Sequence, residues 1–109
     1  MTTPKTSKIT RSSGNIFADL GLENAQAHQA KAQLVMLIST MIEKLDLTQG
    51  QAATRMGLKQ PDVSKLLRGK FEGFSLERLL YFVRALGSDV EIKIKPSKLK
   101  HEGKLLVTA

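Results

Sequence analysis

"LTQGQAATRMGLKQPDVSKLLRGK", residues 47–70, decides how this chain folds. Thr48 and Gln51 stand at the T-x-x-Q spacing of a capping box, in which each side chain satisfies a backbone N–H that a helix start leaves without a partner. Leu47 before the cap and Ala52 after it form a small hydrophobic staple. Gly57 ends this helix, because glycine adopts the left-handed C-terminal conformation without a Cβ clash. Val63, Leu66 and Leu67 then recur at i, i+3, i+4, which is one buried face of a further helix ending before Gly69. A proline pushes the residue before it away from helical geometry. Gln60 is therefore expected just outside this helix and Pro61 at its first position, where the missing N–H has no intrahelical acceptor. Gly50, in the first turn of the earlier helix, is read as a liability of up to about 1 kcal/mol relative to alanine.

Two short helices separated by "GLK" are the helix-turn-helix layout. Its packing needs glycine at the turn, a small residue where the helices cross, and apolar anchors on the second helix. Gly57, Ala53, Val63 and Leu66 meet those needs in one window. Outward from it, Leu34, Leu37, Ile38, Met41, Ile42 and Leu45 repeat with helical spacing and predict a long helix from about Asn24 to Leu45. Ser75 caps a last helix with Leu79, Phe82, Val83 and Leu86 buried and Gly87 as its stop. Phe71 and Phe74, in the loop before it, are expected against the body. The period then changes to two: Val90, Ile92 and Ile94 alternate with Glu91, Lys93 and Lys95, the pattern of a half-buried strand. A lone strand leaves its ladder groups unpaired, so pairing with a symmetry mate is expected, the alternative being a solvated extended tail. The fold class expected is all-α: a small helical bundle with a helix-turn-helix plus one C-terminal strand paired across a dimer.

With the buried positions removed, Gln60, Ser64 and Arg68 remain on one i, i+4, i+8 ridge, with Pro61 and Lys65 beside it. Gln suits adenine, Arg and Lys suit guanine O6 and N7, and Ser suits several base edges, so this face is the candidate for base contacts in double-stranded DNA. Thr48, Gln49, Arg55, Lys59 and Lys70 surround it as candidate phosphate contacts. From Arg55 to Lys70 there are five basic residues and one acid, Asp62. Asp62 is read first as a helix-start residue favoured by the helix dipole, and second as an acceptor for a cytosine amino group.

Composition agrees. The chain has 109 residues, with 17 Lys+Arg against 10 Asp+Glu and a formal net charge of +7, a balance suited to an anionic partner. Residues 1–15 are polar and basic and are expected to form a mobile arm; Ile16, Phe17, Leu20 and Leu22 are expected to pin the following segment. Residues 16–95 are read as the helix-turn-helix domain with its strand and 96–109 as a tail whose fate the pattern leaves open. No cysteine is present, which removes disulfides, Cys-bound zinc and Cys nucleophiles and fits a cytoplasmic protein. His28 and His101 lie far apart without metal-ligand spacing. No nucleophile–base motif or phosphate-binding glycine loop occurs. The expectation is a binding protein, not an enzyme, with no cofactor, no metal and no membrane span.

"LTQGQAATRMGLKQPDVSKLLRGK", "FSLERLLYFVRALGSDVEI" and the upstream "NIFADLGL" together resemble the Xre/Cro-repressor-type helix-turn-helix family, and within it the HigA-like type II antitoxins. The resemblance covers roughly residues 15–95. It implies a lambda-repressor-like bundle, a homodimer on a palindromic operator, repression of its own operon, and a RelE/HigB-type RNA-cleaving toxin as partner. It also implies that Gln49 touches phosphate and that Gln60, Pro61, Ser64 and Lys65 face bases. Pro61 stands where the family often has a hydrogen-bonding residue, so readout there would be apolar. A stand-alone phage- or plasmid-type repressor without a toxin is the alternative.

Overall fold

In a computed structural model of the protein, residues 24–97 and 103–109 are described. The expected basic arm, the anchors Ile16, Phe17, Leu20 and Leu22, and His101 lie outside them. Among the described residues there are four helices: α1 (Asn24–Lys44), α2 (Gln49–Met56), α3 (Gln60–Leu67) and α4 (Leu76–Ala85). None is long and apolar enough to cross a membrane.

α1 buries Ala30, Leu34, Ile38 and Ile42 on one i, i+4 ridge, with Val35 beside it, and the helix packs mainly against α4. The expected stripe is thus shifted. Leu37 and Met41 are half-buried, and Leu45 is 44 % exposed because it falls just past the last helical residue. The helix ends without glycine. Asp46 takes the left-handed conformation at φ 56°, and the Leu47 N–H donates back to the Ile42 carbonyl at 3.1 Å. A short polar side chain tolerates that conformation better than most, and the reversal sets Leu47 against the core.

α4 forms as its pattern dictates. The Ser75 hydroxyl accepts from the Arg78 N–H at 3.1 Å. Leu76, Leu79, Phe82 and Val83 are buried, Leu86 follows them inward, and Gly87 breaks the helix at φ 107°. The Arg78 guanidinium lies 5.0 Å from the Phe74 ring centre and 5.4 Å from that of Phe82, a cation–π contact that covers the outer edge of the core.

The centre of the molecule is where the helices converge. Ile38 of α1, Val63 and Leu66 of α3 and Leu79 of α4 are fully buried, with Met56 of α2 and Phe82 of α4 at 1 % exposure. Both inward residues of α3 thus belong to the common core, so this short helix is held in place by the rest of the domain.

The expected C-terminal strand is not formed. Residues 88–97 run on from α4 without strand structure. Val90 is half-buried against the core, while Ile92 and Ile94 are 70 % and 89 % exposed. A strand requires a neighbour to complete its ladder, and none lies among the described residues. The end of the tail does return to the body: Leu105 and Val107 pack against the core, with Leu106 between them pointing out.

Candidate nucleic-acid interface

Local chemistry places both helices of the motif. Before α2 the capping box closes on both sides: the Gln51 N–H donates to Thr48 Oγ1 at 3.1 Å and the Thr48 N–H donates to Gln51 Oε1 at 2.8 Å. After α2, Gly57 adopts φ 72°, ψ 30°, and the Leu58 N–H donates to the Ala53 carbonyl at 2.9 Å. The turn is therefore a glycine-ended helix cap running into the next helix. Ala52, Ala53 and Met56 are buried on α2, which packs mainly against α3.

α3 starts one residue earlier than the proline suggests. Lys59 is its N-cap, extended at φ −83°, ψ 150°, with no side-chain cap bond; its carbonyl accepts from the N–H groups of Asp62 at 2.9 Å and Val63 at 3.2 Å. Gln60 is already helical and Pro61 follows it. The shift is tolerated because the first four N–H groups of a helix have no intrahelical acceptor, so proline removes nothing the helix uses. Asp62 is in the first turn and half-buried, where the positive end of the helix dipole favours its charge. Gly69 closes the helix at φ 88°, and the Lys70 N–H donates to the Lys65 carbonyl at 3.0 Å.

The outward side of α3 is a polar strip. Gln60, Pro61, Lys65 and Arg68 are exposed and Ser64 is half-buried between them. The Arg68 guanidinium donates to Ser64 Oγ at 2.9 Å, so it folds one turn back along the helix, and the upper half of the ridge is one connected group of donors. Gln49, Arg55, Lys59 and Lys70 are exposed around the motif. Thr48 is exposed as well, but its oxygen is committed to the cap, which leaves only its O–H for a further contact.

One contact was not legible in the spacing. A Cβ placed on Gly50 would meet Gln60 Oε1 at 3.6 Å and Thr48 Oγ1 at 3.9 Å. The Gln60 side chain therefore lies over the first turn of α2, and the two helix starts present one surface. Both distances are ordinary van der Waals contact, so alanine fits. Gly50→Ala is expected to raise stability by about 0.5–1 kcal/mol through the unfolded chain's lost freedom, read as a higher urea midpoint at unchanged slope; a lower midpoint would show that Gln60 cannot accommodate the methyl group. A second unanticipated contact joins His28 of α1 to Phe71, with ring centres 5.0 Å apart; it ties the loop after α3 to the start of the bundle.

An α3 seated by Val63 and Leu66, entered through a glycine turn and bearing a basic polar strip outward, defines a helix-turn-helix protein. The chain belongs to the family described as "Helix-turn-helix domain", whose model matches residues 16–95. It is similar to a solved structure that carries the name of an XRE family transcriptional regulator, at 38 % sequence identity and a TM-score of 0.74, over 80 % of this chain and 99 % of that one. No curated protein matches the chain.

Proposed function

We propose that this protein is a sequence-specific DNA-binding transcriptional regulator, acting as a homodimeric repressor on a palindromic operator. The observation that carries the reading is the strip Gln60–Ser64–Arg68, with Pro61 and Lys65 beside it, facing solvent on a helix whose opposite side is locked into the core. These residues supply base contacts, while Gln49, Arg55, Lys59, Lys70 and the Thr48 hydroxyl supply phosphate contacts that set the register. The similar XRE-family chain supports the same reading. A dimer would set its two α3 helices about 34 Å apart, for half-sites one DNA turn apart. Titrating DNA from the chain's own promoter against a scrambled duplex at fixed physiological salt tests it. Specific binding tighter by at least about a thousandfold is expected, and equal affinity would overturn it.

Within that reading, the resemblance of the sequence flanks to HigA-like antitoxins supports a role as the antitoxin of a type II module, with a RelE/HigB-type toxin as partner. A stand-alone repressor is the alternative. The neighbouring gene separates them: an antitoxin is expected to lie beside a small basic reading frame, to co-purify with its product and to restore growth when the two are co-expressed, whereas a stand-alone repressor does none of these.

A further inference from the structure

Gly50 is the second residue of α2 and Gln60 the first of α3. With no side chain at 50, the first turn of α2 offers a shelf, and Gln60 rests one end of its amide there. Its Oε1 lies 3.6 Å from the point that a Gly50 Cβ would occupy, and Thr48 Oγ1 lies 3.9 Å from the same point. The Gln60 amide nitrogen does not come within 4 Å of it. We infer that Gly50 is a positioning residue for base reading: it seats the Gln60 carbonyl on α2, so that Gln60 faces DNA with its –NH2 and selects guanine over adenine. The inference rests on the DNA-binding reading above and names the base that one of its contacts takes.

Two features of the local chemistry turn the oxygen inward. The N-terminal end of a helix carries partial positive charge, which at the start of α2 favours the carbonyl of the amide over its –NH2. At the start of its own helix that oxygen finds no donor in the next residues. Pro61 has no N–H, and the N–H groups of Asp62 and Val63 both donate to the Lys59 carbonyl, at 2.9 and 3.2 Å. Base chemistry then gives the consequence. A glutamine whose amide turns freely pairs with adenine through both ends, its –NH2 on N7 and its oxygen on the N6 amino group. With the oxygen held on α2, an adenine there would keep its amino group without an acceptor, which costs affinity. Guanine presents two acceptors side by side, N7 and O6, and the two hydrogens of an outward –NH2 serve both. Thymine offers one acceptor and cytosine a donor. The adenine preference expected from residue type alone is therefore reversed by the residue on which the glutamine rests. Alanine at 50 keeps this arrangement, since its Cβ would meet Oε1 at ordinary contact distance. A longer side chain carries atoms beyond Cβ into the space that Oε1 occupies.

Competition binding of the full chain tests this, using the bound site from its own promoter with each base pair replaced in turn by the other three. Gln60→Ala identifies the position that residue 60 reads: discrimination there is expected to fall by about fivefold or more, while other positions keep theirs. At that position the unaltered protein is expected to prefer guanine over adenine. Gly50→Ala should keep the preference, and Gly50→Leu should shift it towards adenine by about fivefold or more. In the Gln60→Ala background, Gly50→Leu should leave discrimination at that position unchanged, which separates an effect through Gln60 from a general loss of binding. An adenine preference in the unaltered protein, or an unshifted preference in Gly50→Leu, overturns the inference and leaves the DNA-binding reading standing. So does a Gln60→Ala variant that alters discrimination at no position. If all sequences bind alike, the sequence-specific reading falls and this inference with it. The comparison of the unaltered protein with Gln60→Ala needs no change at 50, so it decides the base assignment even where leucine unsettles α2.

Discussion

Leu66→Ala is expected to lower the unfolding free energy by about 2–5 kcal/mol, the range for deleting a fully buried leucine side chain into a cavity. A small domain has only about 5–15 kcal/mol in total, so the variant should be marginal at physiological temperature. Leu66 has no exposed surface and belongs to the cluster shared with Ile38, Leu79 and Phe82. α3 has eight residues, of which Val63 and Leu66 are the buried ones. A helix of that length does not persist in water unaided, so its position depends on those two anchors. Urea unfolding followed by helical circular dichroism measures the loss, with Leu67→Ala, half-buried beside it, as the control. Equal effects at 66 and 67 would contradict the placement of α3. Operator binding should fail along with stability, since the cavity lies directly beneath the candidate DNA-facing strip.

The second large effect falls on binding alone. Lys65→Ala and Arg68→Ala are each expected to weaken operator affinity by about 1–3 kcal/mol, roughly five- to 150-fold, if they contact guanine edges. Both side chains are exposed, so the unfolding midpoint should stay put. The manner of loss separates two roles. A base contact, when removed, relaxes specificity at one position of the operator; a phosphate contact weakens all sequences alike and makes the salt dependence shallower by about one unit of slope. Arg68 is the more informative of the pair, because its guanidinium is held on Ser64 at 2.9 Å in the free protein. Ser64→Ala should free it and loosen its aim, giving a smaller loss in the same direction as Arg68→Ala. Full affinity in both the Lys65 and Arg68 variants would move base reading off this face of α3.

How far the sequence carried the reading depended on the range of each interaction. The capping box, the Ser75 cap, the stops at Gly57 and Gly87 and the burial of Val63, Leu66, Leu79, Phe82 and Val83 all follow from residues within a turn or two of one another. They appear in the structure as the spacing dictates. The shift of α3 by one residue also has a local origin, since the Lys59 carbonyl accepts from the Asp62 and Val63 N–H groups and so opens the helix at Gln60. The expected C-terminal strand is absent among the described residues for a different reason. Alternation reports which sides of a run suit burial, but a ladder needs a second backbone, and periodicity carries no information about where one lies.

Chemistry confined to a few consecutive residues was thus decided in the chain itself: where three of the helices are capped or stopped, which face of α3 is apolar, and the polar strip that remains outside. Tertiary structure decided the rest. It set the ridge of α1 through its packing on α4, turned the chain at Asp46 so that Leu47 reaches the core, and laid Gln60 over Gly50. It also covered Val90 while leaving Ile92 and Ile94 bare. Each of these joins residues whose separation along the chain says nothing of their distance in space, so only the packed core could choose between arrangements that the local pattern permits equally.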